Sequence, residues 1–169
     1  MPHAVTQPPT FRLKDTNSNF YYTFNDLKGS KGTLLMFLSA NCPQVNHVIP
    51  EILMIAADYR VQGLGIIAIG SNHSSEVMTE FAFKYSFDFP FLHDEANEAA
   101  NWLQVKCVPD FFLFDNQNQL FYHGQLDDSK PGNNIPLSGS DLRNAIDGVI
   151  YNRKISEVQK PSSGCDIVT

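Results

Sequence analysis

One stretch, residues 33–48 (TLLMFLSANCPQVNHV), constrains the fold more than any other part of the sequence. It opens with the apolar run 34–38, which has the length and composition of a fully buried strand. After a break that begins at Ser39, Cys42 and Pro43 open an amphipathic segment, and proline favours the first position of a helix because its missing N–H costs nothing there. The stretch therefore predicts a buried strand, a short turn and a helix that begins at Cys42 and Pro43.

The position of Cys42 at a helix N-terminus has a chemical consequence. Unpaired backbone N–H groups and the positive end of the helix dipole meet there, and both stabilise a thiolate, which is the reactive form of cysteine. A strand, a short turn, a cysteine, a proline and a helix are how a thiol oxidoreductase presents its sulfur. We therefore expect Cys42 to be an accessible, acidic thiol, and the alternative is a buried, unreactive cysteine.

Charge and composition exclude several classes of protein. The 169 residues suit one domain with a core rich in its thirteen phenylalanines, and 18 acidic against 12 basic residues give a net charge of −6. With no basic cluster, nucleic acid and anionic membrane surfaces are not expected partners. No apolar run approaches the roughly 20 residues of a membrane span. The N-terminus lacks the features of a signal peptide, so we expect a cytoplasmic protein whose three cysteines are redox-active or free.

The rest of the sequence alternates apolar strands with amphipathic helices. The helix that begins at Cys42 is expected to reach about residue 60, with a kink at Pro50. The buried strand 64–70 then lies parallel to strand 34–38 through a right-handed crossover. The other expected elements, with two short N-terminal strands first and a hairpin before the last helix, are 11–13, 20–23, 74–85, 89–92, 95–103, 105–115, 119–125 and 140–152.

This order, βαβ, then a helix, a hairpin and a last helix, is that of the thioredoxin fold. Pro109 lies near the start of a strand that should be central, where proline needs a special place. In the thioredoxin fold that place is a cis-proline loop facing the reactive cysteine, so we predict a cis bond between Val108 and Pro109. The chain then divides into a loose arm (1–10), a thioredoxin-like domain (11–152) and a tail (153–169) that carries Cys165.

Four runs carry a resemblance to a known family: SANCPQV, CVPDFFLFD, GQLDD and GCDI, beginning at residues 39, 107, 124 and 164. They are similar to runs such as CNHCPYV, CTPDFFLFD, RIDD and GCSIKW in a bacterial subgroup of the thioredoxin-like redoxins, within the alkyl hydroperoxide reductase/thiol-specific antioxidant superfamily. The resemblance implies an α/β fold, with a central mixed sheet flanked by helices and extra N-terminal strands. It also implies that Cys42 is the reactive cysteine, with Pro43, Val108 and Pro109 next to the substrate.

The chain departs from these relatives at the site. Ser39 stands where a CxxC motif has its first cysteine, so the ordinary thioredoxin cycle does not follow, and Thr33 replaces thioredoxin's buried carboxylate. The spacing of Ser39 and Cys42 instead resembles the T/SxxC of peroxiredoxins. That family also has a proline at the position of Leu35 and an arginine at the position of Pro109, which would stabilise the peroxidatic thiolate.

Three cysteines leave the partner of Cys42 open. Cys107, across the cis-proline loop, or Cys165, in a tail that can swing in, would resolve an oxidised Cys42, and so would an external thiol. Each of these cysteines also has a purely structural alternative. Cys107 would then be an inert cysteine at a strand end, and the tail with Cys165 would be docked only for packing. Ser39 either donates a hydrogen bond to a thiolate or peroxide or is a plain turn residue.

Other polar residues give weaker signals. His47 is expected at the surface, and the histidines at 73, 93 and 123 are expected to be structural or exposed. The acidic pair at 127 and 128 is expected to cap a loop or form a solvated turn. Without CxxC or HxxxH spacing, neither a metal nor another cofactor is expected.

Three functions are consistent with these residues. The first is a thiol-dependent oxidoreductase in which Cys42 attacks the disulfide of a protein partner, or a peroxide. The second is a non-catalytic thioredoxin-fold module that binds peptide in the cis-proline groove. The third is a peroxiredoxin-like peroxidase that acts on a small hydroperoxide.

Overall fold

The computed structural model of the chain describes residues 6–71 and 73–167. Its helices are α1 (Phe24–Leu27), α2 (Pro43–Arg60), α3 (Ser75–Lys84), α4 (Glu98–Trp102) and α5 (Ser140–Tyr151). Its strands are β1 (Leu13–Asp15), β2 (Tyr21–Tyr22), β3 (Gly32–Leu38), β4 (Leu64–Gly70), β5 (Phe91–His93), β6 (Cys107–Val108), β7 (Asp110–Asp115), β8 (Leu120–Gly124) and β9 (Cys165–Asp166). Apart from α1 and β9, the order of these elements is the one that the sequence predicts for a thioredoxin-like α/β fold.

A seven-stranded mixed sheet in the order β2-β1-β5-β4-β3-β7-β8 forms the centre. Strand β3 pairs with β4 in parallel and with β7 antiparallel, and all seven of its residues are buried. Apolar side chains on both faces of β3 suit a strand covered on both sides. The carboxyl end of this fully buried strand leads directly to Ser39 and Cys42.

Helix α2 runs from Pro43 to Arg60, as the sequence predicts, with Cys42 as its N-cap residue and Pro50 inside it. Its buried face consists of Val45, Val48, Ile49, Ile52, Ile55 and Ala56, with Leu53 partly buried beside them. Burial of this face fixes the helix against the sheet. The start of α2 is thereby held at the end of β3.

The N-terminal region differs from the prediction in three places. The first strand is Leu13–Asp15 rather than 11–13, because Lys14 and Asp15 pair with β5 in the sheet. A short helix, α1, lies where a turn was expected, and Thr23 caps it. The described part of the arm is held rather than loose, since the carbonyl of Thr6 accepts a hydrogen bond from the N–H of Leu120 at 2.7 Å.

The tail lies along the domain up to residue 167. Its Lys160 carbonyl accepts a hydrogen bond from the N–H of Gln125 at 3.0 Å, and Ser162 Oγ donates to the Gly124 carbonyl at 2.8 Å. Strand β9, which sequence analysis missed, then pairs antiparallel with β6 in a separate two-stranded sheet. These backbone bonds bring the end of the tail to the cis-proline loop. Within the described residues, no helix is both long and apolar enough to cross a membrane.

Candidate active site

The site forms around a disulfide between Cys42 and Cys165, whose Cα atoms lie 6.1 Å apart. That separation lies in the normal range for a disulfide. Cys42 is held at the N-terminus of α2 in an extended conformation, with Pro43 at the first helical position. Cys165 comes from the tail. Of the two cysteines that the sequence offered as partners for Cys42, the structure brings Cys165 to it.

The pairing of β6 with β9 sets the position of Cys165. Val108 is opposite Cys165 and Cys107 is opposite Asp166, and the N–H of Ile167 donates to the Lys106 carbonyl at 3.0 Å. At Gly164 the two backbones approach so closely that a Cβ would collide with the carbonyl oxygen of Val108. Glycine is therefore needed immediately before Cys165 for steric reasons.

The cis-proline loop faces Cys42, as expected. The Val108–Pro109 peptide bond is cis, and the Val108 carbonyl oxygen lies 3.7 Å from Cys42 Sγ. Val108 is buried, whereas Pro43, the residue after Cys42, is exposed. The carbonyl of the residue before the proline therefore borders the reacting sulfur.

The expectation that Cys42 is accessible is wrong for this oxidised form. Cys42 is only 2% exposed, because the tail lies over it and Cys165 is bonded to it. The alternative of a permanently buried, unreactive cysteine does not follow either, since a disulfide sulfur is the product of a redox reaction. Cys42 is therefore buried by the same tail segment that carries its disulfide partner.

Cys107 is the free cysteine of the chain and is half-buried. It precedes Val108 on β6, and successive strand residues point to opposite faces. Its Sγ lies 3.6 Å from the carbonyl oxygen of Ser162 in the tail. Burial raises the pKa of the Cys107 thiol, and the carboxylates of Asp110 and Asp166 raise it further. Cys107 is thus a weak nucleophile at neutral pH, and the structure does not bring it to Cys42 as a resolving thiol.

Gln44 is a site residue that sequence analysis missed. Its Oε1 lies 3.0 Å from Cys165 Sγ and 3.5 Å from Cys42 Sγ. Disulfide sulfurs carry no proton, so these are contacts in the oxidised form, and either thiol can donate to this oxygen after reduction. The position of Gln44 in the first turn of α2, two residues after Cys42, was the available signal.

Ser39 makes a more specific contact than a turn serine. Its Oγ lies 2.6 Å from Nε2 of His73 and 3.1 Å from the Ala40 carbonyl. Burial lowers the pKa of His73, and the nearby His93 lowers it further. A hydrogen bond to the Ala40 backbone partly offsets this shift. His73 is half-buried and bonded to Ser39, which is the structural alternative of the two expected for it, and the lowered pKa favours its neutral form. The signal in the sequence was that Ser39 and His73 both follow the carboxyl ends of neighbouring parallel strands.

A cavity of about 370 Å³ separates this pair from the tail. Its lining residues are Leu38, Ser39, Ser71, His73, Val108, Asp166 and Ile167. Val108 and Asp166 are neighbours of the disulfide through the β6–β9 pairing. Ser39 and His73 therefore share one space with the residues that surround Cys165. Over residues 6–71 and 73–167, no group of three or more His, Cys, Asp or Glu side chains is arranged to hold a metal ion.

The remaining polar residues have structural roles. His47 is half-buried and bonded to Ser129, with 2.7 Å between Nε2 and Oγ. Nε2 of His123 lies 3.0 Å from Asp110 Oδ2. Asp127 caps its loop, which was one of the two roles expected for it. The solvated turn is wrong for Asp127, because the carboxylate is 2% exposed. It accepts hydrogen bonds from the backbone N–H groups of Ser129, Ser138 and Gly139.

Two solved structures match nearly the whole chain. An uncharacterized conserved protein from Geobacillus kaustophilus is 36% identical with a TM-score of 0.92, covering 99% of this chain and 96% of that one. A hypothetical protein from Sinorhizobium meliloti 1021 is 34% identical with a TM-score of 0.91, covering 97% and 94%.

Proteins with described chemistry are more distant. The thiol-disulfide oxidoreductase ResA of Bacillus subtilis (strain 168) is 27% identical over 112 residues, which are 66% of this chain and 62% of ResA. The match spans between 59% and 65% of the length of the ResA proteins. A putative thiol:disulfide interchange protein DsbE from Chlorobium tepidum has the same fold, with a TM-score of 0.71. It is 19% identical, and the match covers 85% of this chain and 95% of that one.

These neighbours confirm the thioredoxin-like α/β fold that the sequence predicts. The model of the AhpC/TSA family matches residues 5–123, which contain Cys42, Cys107 and the cis-proline loop but not Cys165. The match covers more than half of the 169 residues. The chain belongs to the AhpC/TSA family.

Proposed function

We propose that the protein is a thiol–disulfide oxidoreductase in which Cys42 and Cys165 cycle between two thiols and one disulfide. The observation that carries the proposal is the Cys42–Cys165 disulfide beside the cis-proline loop. Likeness to the ResA thiol-disulfide oxidoreductases supports it. The pair replaces the CxxC motif: Ser39 occupies the position of the first cysteine, and the second thiol comes from the tail instead.

The reaction has two exchange steps. In the reduced protein the N-terminus of α2 stabilises the Cys42 thiolate. This thiolate attacks one sulfur of a partner disulfide; that S–S bond breaks, a mixed disulfide with Cys42 forms, and the partner's other sulfur leaves as a thiolate that takes up a proton. Cys165 then loses its proton, attacks Cys42 Sγ and expels the partner's second sulfur as a thiol. The partner is thereby reduced by two electrons. A reducing dithiol then reduces the Cys42–Cys165 disulfide through two further exchanges and is itself oxidised to a disulfide.

A protein partner fits this site better than a small disulfide does. The edge of β6 pairs with an extended strand, which in the oxidised form is β9 of the tail. A partner segment with a cysteine would use the same main-chain hydrogen bonds once the tail has left. The collision at Gly164 supports a partner with a small residue immediately before its cysteine, since the backbone of Val108 lies against that position.

A hydroperoxide as the oxidant is a second candidate. The AhpC/TSA match and the spacing of Ser39 and Cys42 favour it. Cys42 would then become a sulfenic acid as the hydroperoxide is reduced to an alcohol, and Cys165 would form the disulfide with loss of water. Pro109, in place of an arginine, supplies no charged donor for this reaction. A binding module without turnover has less support, because it needs no pair of cysteines at the site.

The proposal is tested by trapping the mixed disulfide. Reduced wild-type protein and the variants Cys42→Ser, Cys165→Ser and Cys107→Ser are mixed with an extended peptide carrying a Gly-Cys disulfide, and products are identified by mass spectrometry. Wild type and Cys107→Ser should release reduced peptide and end with Cys42 bonded to Cys165. Cys165→Ser should stop with the peptide on Cys42, and Cys42→Ser should not react. Turnover by Cys165→Ser at the wild-type rate would contradict the proposal, and a parallel series with a hydroperoxide tests the second candidate.

A further inference from the structure

We infer that Ser39 and His73 are a proton-transfer pair for thiol exchange at the Cys42–Cys165 disulfide. The inference deepens the proposed function and rests on it. Ser39 occupies the position of the missing first cysteine, so the site has replaced a thiol by a hydroxyl that is hydrogen-bonded to an imidazole. The pair would accept the proton of an attacking thiol and return it to the sulfur that leaves.

The contacts around Ser39 form a relay. Its Oγ is 2.6 Å from Nε2 of His73, and the same oxygen can donate to the Ala40 carbonyl at 3.1 Å. A neutral imidazole that accepts at Nε2 takes the hydroxyl proton, which leaves the Ser39 oxygen able to accept a proton from a third group. On its open side this oxygen faces the cavity of about 370 Å³ bordered by Val108, Asp166 and Ile167. The cavity borders the disulfide through Val108, whose carbonyl oxygen lies 3.7 Å from Cys42 Sγ, and through Asp166, the residue after Cys165.

The electrostatic surroundings keep the imidazole able to accept a proton. Burial lowers the pKa of His73, and His93 lowers it further. Two carboxylates face the same region: Asp166 lines the cavity, and the buried Asp94 lies 3.5 Å from Ser71 Oγ in the cavity wall. The hydrogen bond to the Ala40 backbone is the contact that favours the imidazolium after proton transfer. The lowered pKa keeps the imidazole unprotonated at rest, so that Nε2 is free to accept a proton.

The step balances as follows. A thiol enters the cavity and gives its proton to Ser39 Oγ while the Ser39 proton moves to His73 Nε2. The sulfur forms a bond to Cys42 Sγ, and the Cys42–Cys165 bond breaks. Cys165 leaves as a thiolate and receives the proton back through Ser39, so the products are a mixed disulfide on Cys42 and the Cys165 thiol. His73 acts through Ser39 and is therefore a positioning residue.

The test measures the rate at which 2-mercaptoethanol in excess reduces the oxidised protein, by acid quenching and mass spectrometry, from pH 5.5 to pH 9. For Ser39→Ala and His73→Gln the rate should follow the thiolate fraction of the reductant. The rate for the wild-type protein should fall less steeply as the pH is lowered. At pH 6 it should be about 10-fold higher than for either variant, and at pH 9 the three rates should converge. General acid–base catalysis typically contributes roughly 100-fold or more, and direct attack by residual thiolate reduces the difference. Identical pH profiles for all three proteins would overturn the inference.

Two controls separate proton transfer from structural damage. A trialkylphosphine has no proton on its attacking atom, so the variants should react with it within about twofold of wild type. An equal loss with the phosphine and the thiol would overturn the inference. His47→Gln breaks a similar His–Ser contact, to Ser129, away from the cavity, and it should keep the wild-type profile. The assay uses no protein partner, so failure of the proposed function in the peptide assay is distinguishable from failure of the pair.

Discussion

Cys42 and Cys165 are separated by 123 positions in the sequence, yet their Cα atoms lie 6.1 Å apart across a disulfide. The bond joins the N-terminus of α2, the first helix after the central strand, to the last described strand of the chain. One redox event therefore determines both the reactivity of Cys42 and the attachment of the tail.

Reduction of this disulfide should destabilise the protein. Closing a loop of this length removes chain entropy from the unfolded state worth about 5 kcal/mol. Urea unfolding of the oxidised protein should therefore have a higher midpoint than that of the reduced protein, and Cys165→Ser should behave like the reduced form under both conditions. Cys107→Ser should keep the full difference between oxidised and reduced protein. Equal midpoints for the two redox forms of wild type would contradict this expectation.

The sequence predicted those parts of the fold that depend on local patterns. The apolar run before Ser39 gave the central strand, and proline after Cys42 gave the start of the helix, because burial and helix termini leave direct marks on residue order. The position of Pro109 in an apolar strand likewise indicated the cis-proline loop.

The choice between Cys107 and Cys165 was beyond the sequence. Strand β9 has two residues, so it has no periodicity to recognise. The contact between Ser39 and His73 spans 34 positions and depends on how two parallel strands align. Gly164 marks where the tail packs against the Val108 backbone, but the need for glycine there is evident only from the structure.

An ion pair fastens helix α5 to helix α2. Arg143 Nε lies 2.5 Å from Oε1 of Glu51, whose side chain is 8% exposed. Replacing Arg143 by Met leaves a buried carboxylate without its partner and should reduce the free energy of unfolding by about 3 kcal/mol. The control is Arg60→Met: its pair with Asp88 is exposed on both sides, so less than about 1 kcal/mol is expected. Denaturant unfolding measures both, and equal losses would contradict the assignment.

Cys107 should be a slow thiol. Burial and the neighbouring carboxylates Asp110 and Asp166 raise its pKa. A raised thiol pKa means less thiolate at any pH below it, so alkylation by iodoacetamide at pH 8 should be at least about threefold slower in the folded, oxidised protein than in urea. The rate should keep rising beyond pH 9 in the folded protein. Cys107→Ser should take up no label while oxidised. A folded-state titration midpoint at or below that of the unfolded chain would contradict the prediction.

Gly164 should control how readily the disulfide closes. A methyl group there would collide with the Val108 carbonyl and approach Pro109 Cδ to 3.2 Å, so Gly164→Ala must move strand β9 away from β6 and Cys165 away from Cys42. We expect the equilibrium with a dithiol reductant to shift toward the reduced protein by about 10-fold, which corresponds to about 1.4 kcal/mol. The adjacent, exposed Ser163 provides the control, since Ser163→Ala adds no atom near the β6 backbone and should leave the equilibrium unchanged. Titration with oxidised and reduced dithiol, followed by alkylation and mass spectrometry, measures both variants. An unchanged equilibrium for Gly164→Ala would mean that the β6–β9 pairing does not position Cys165.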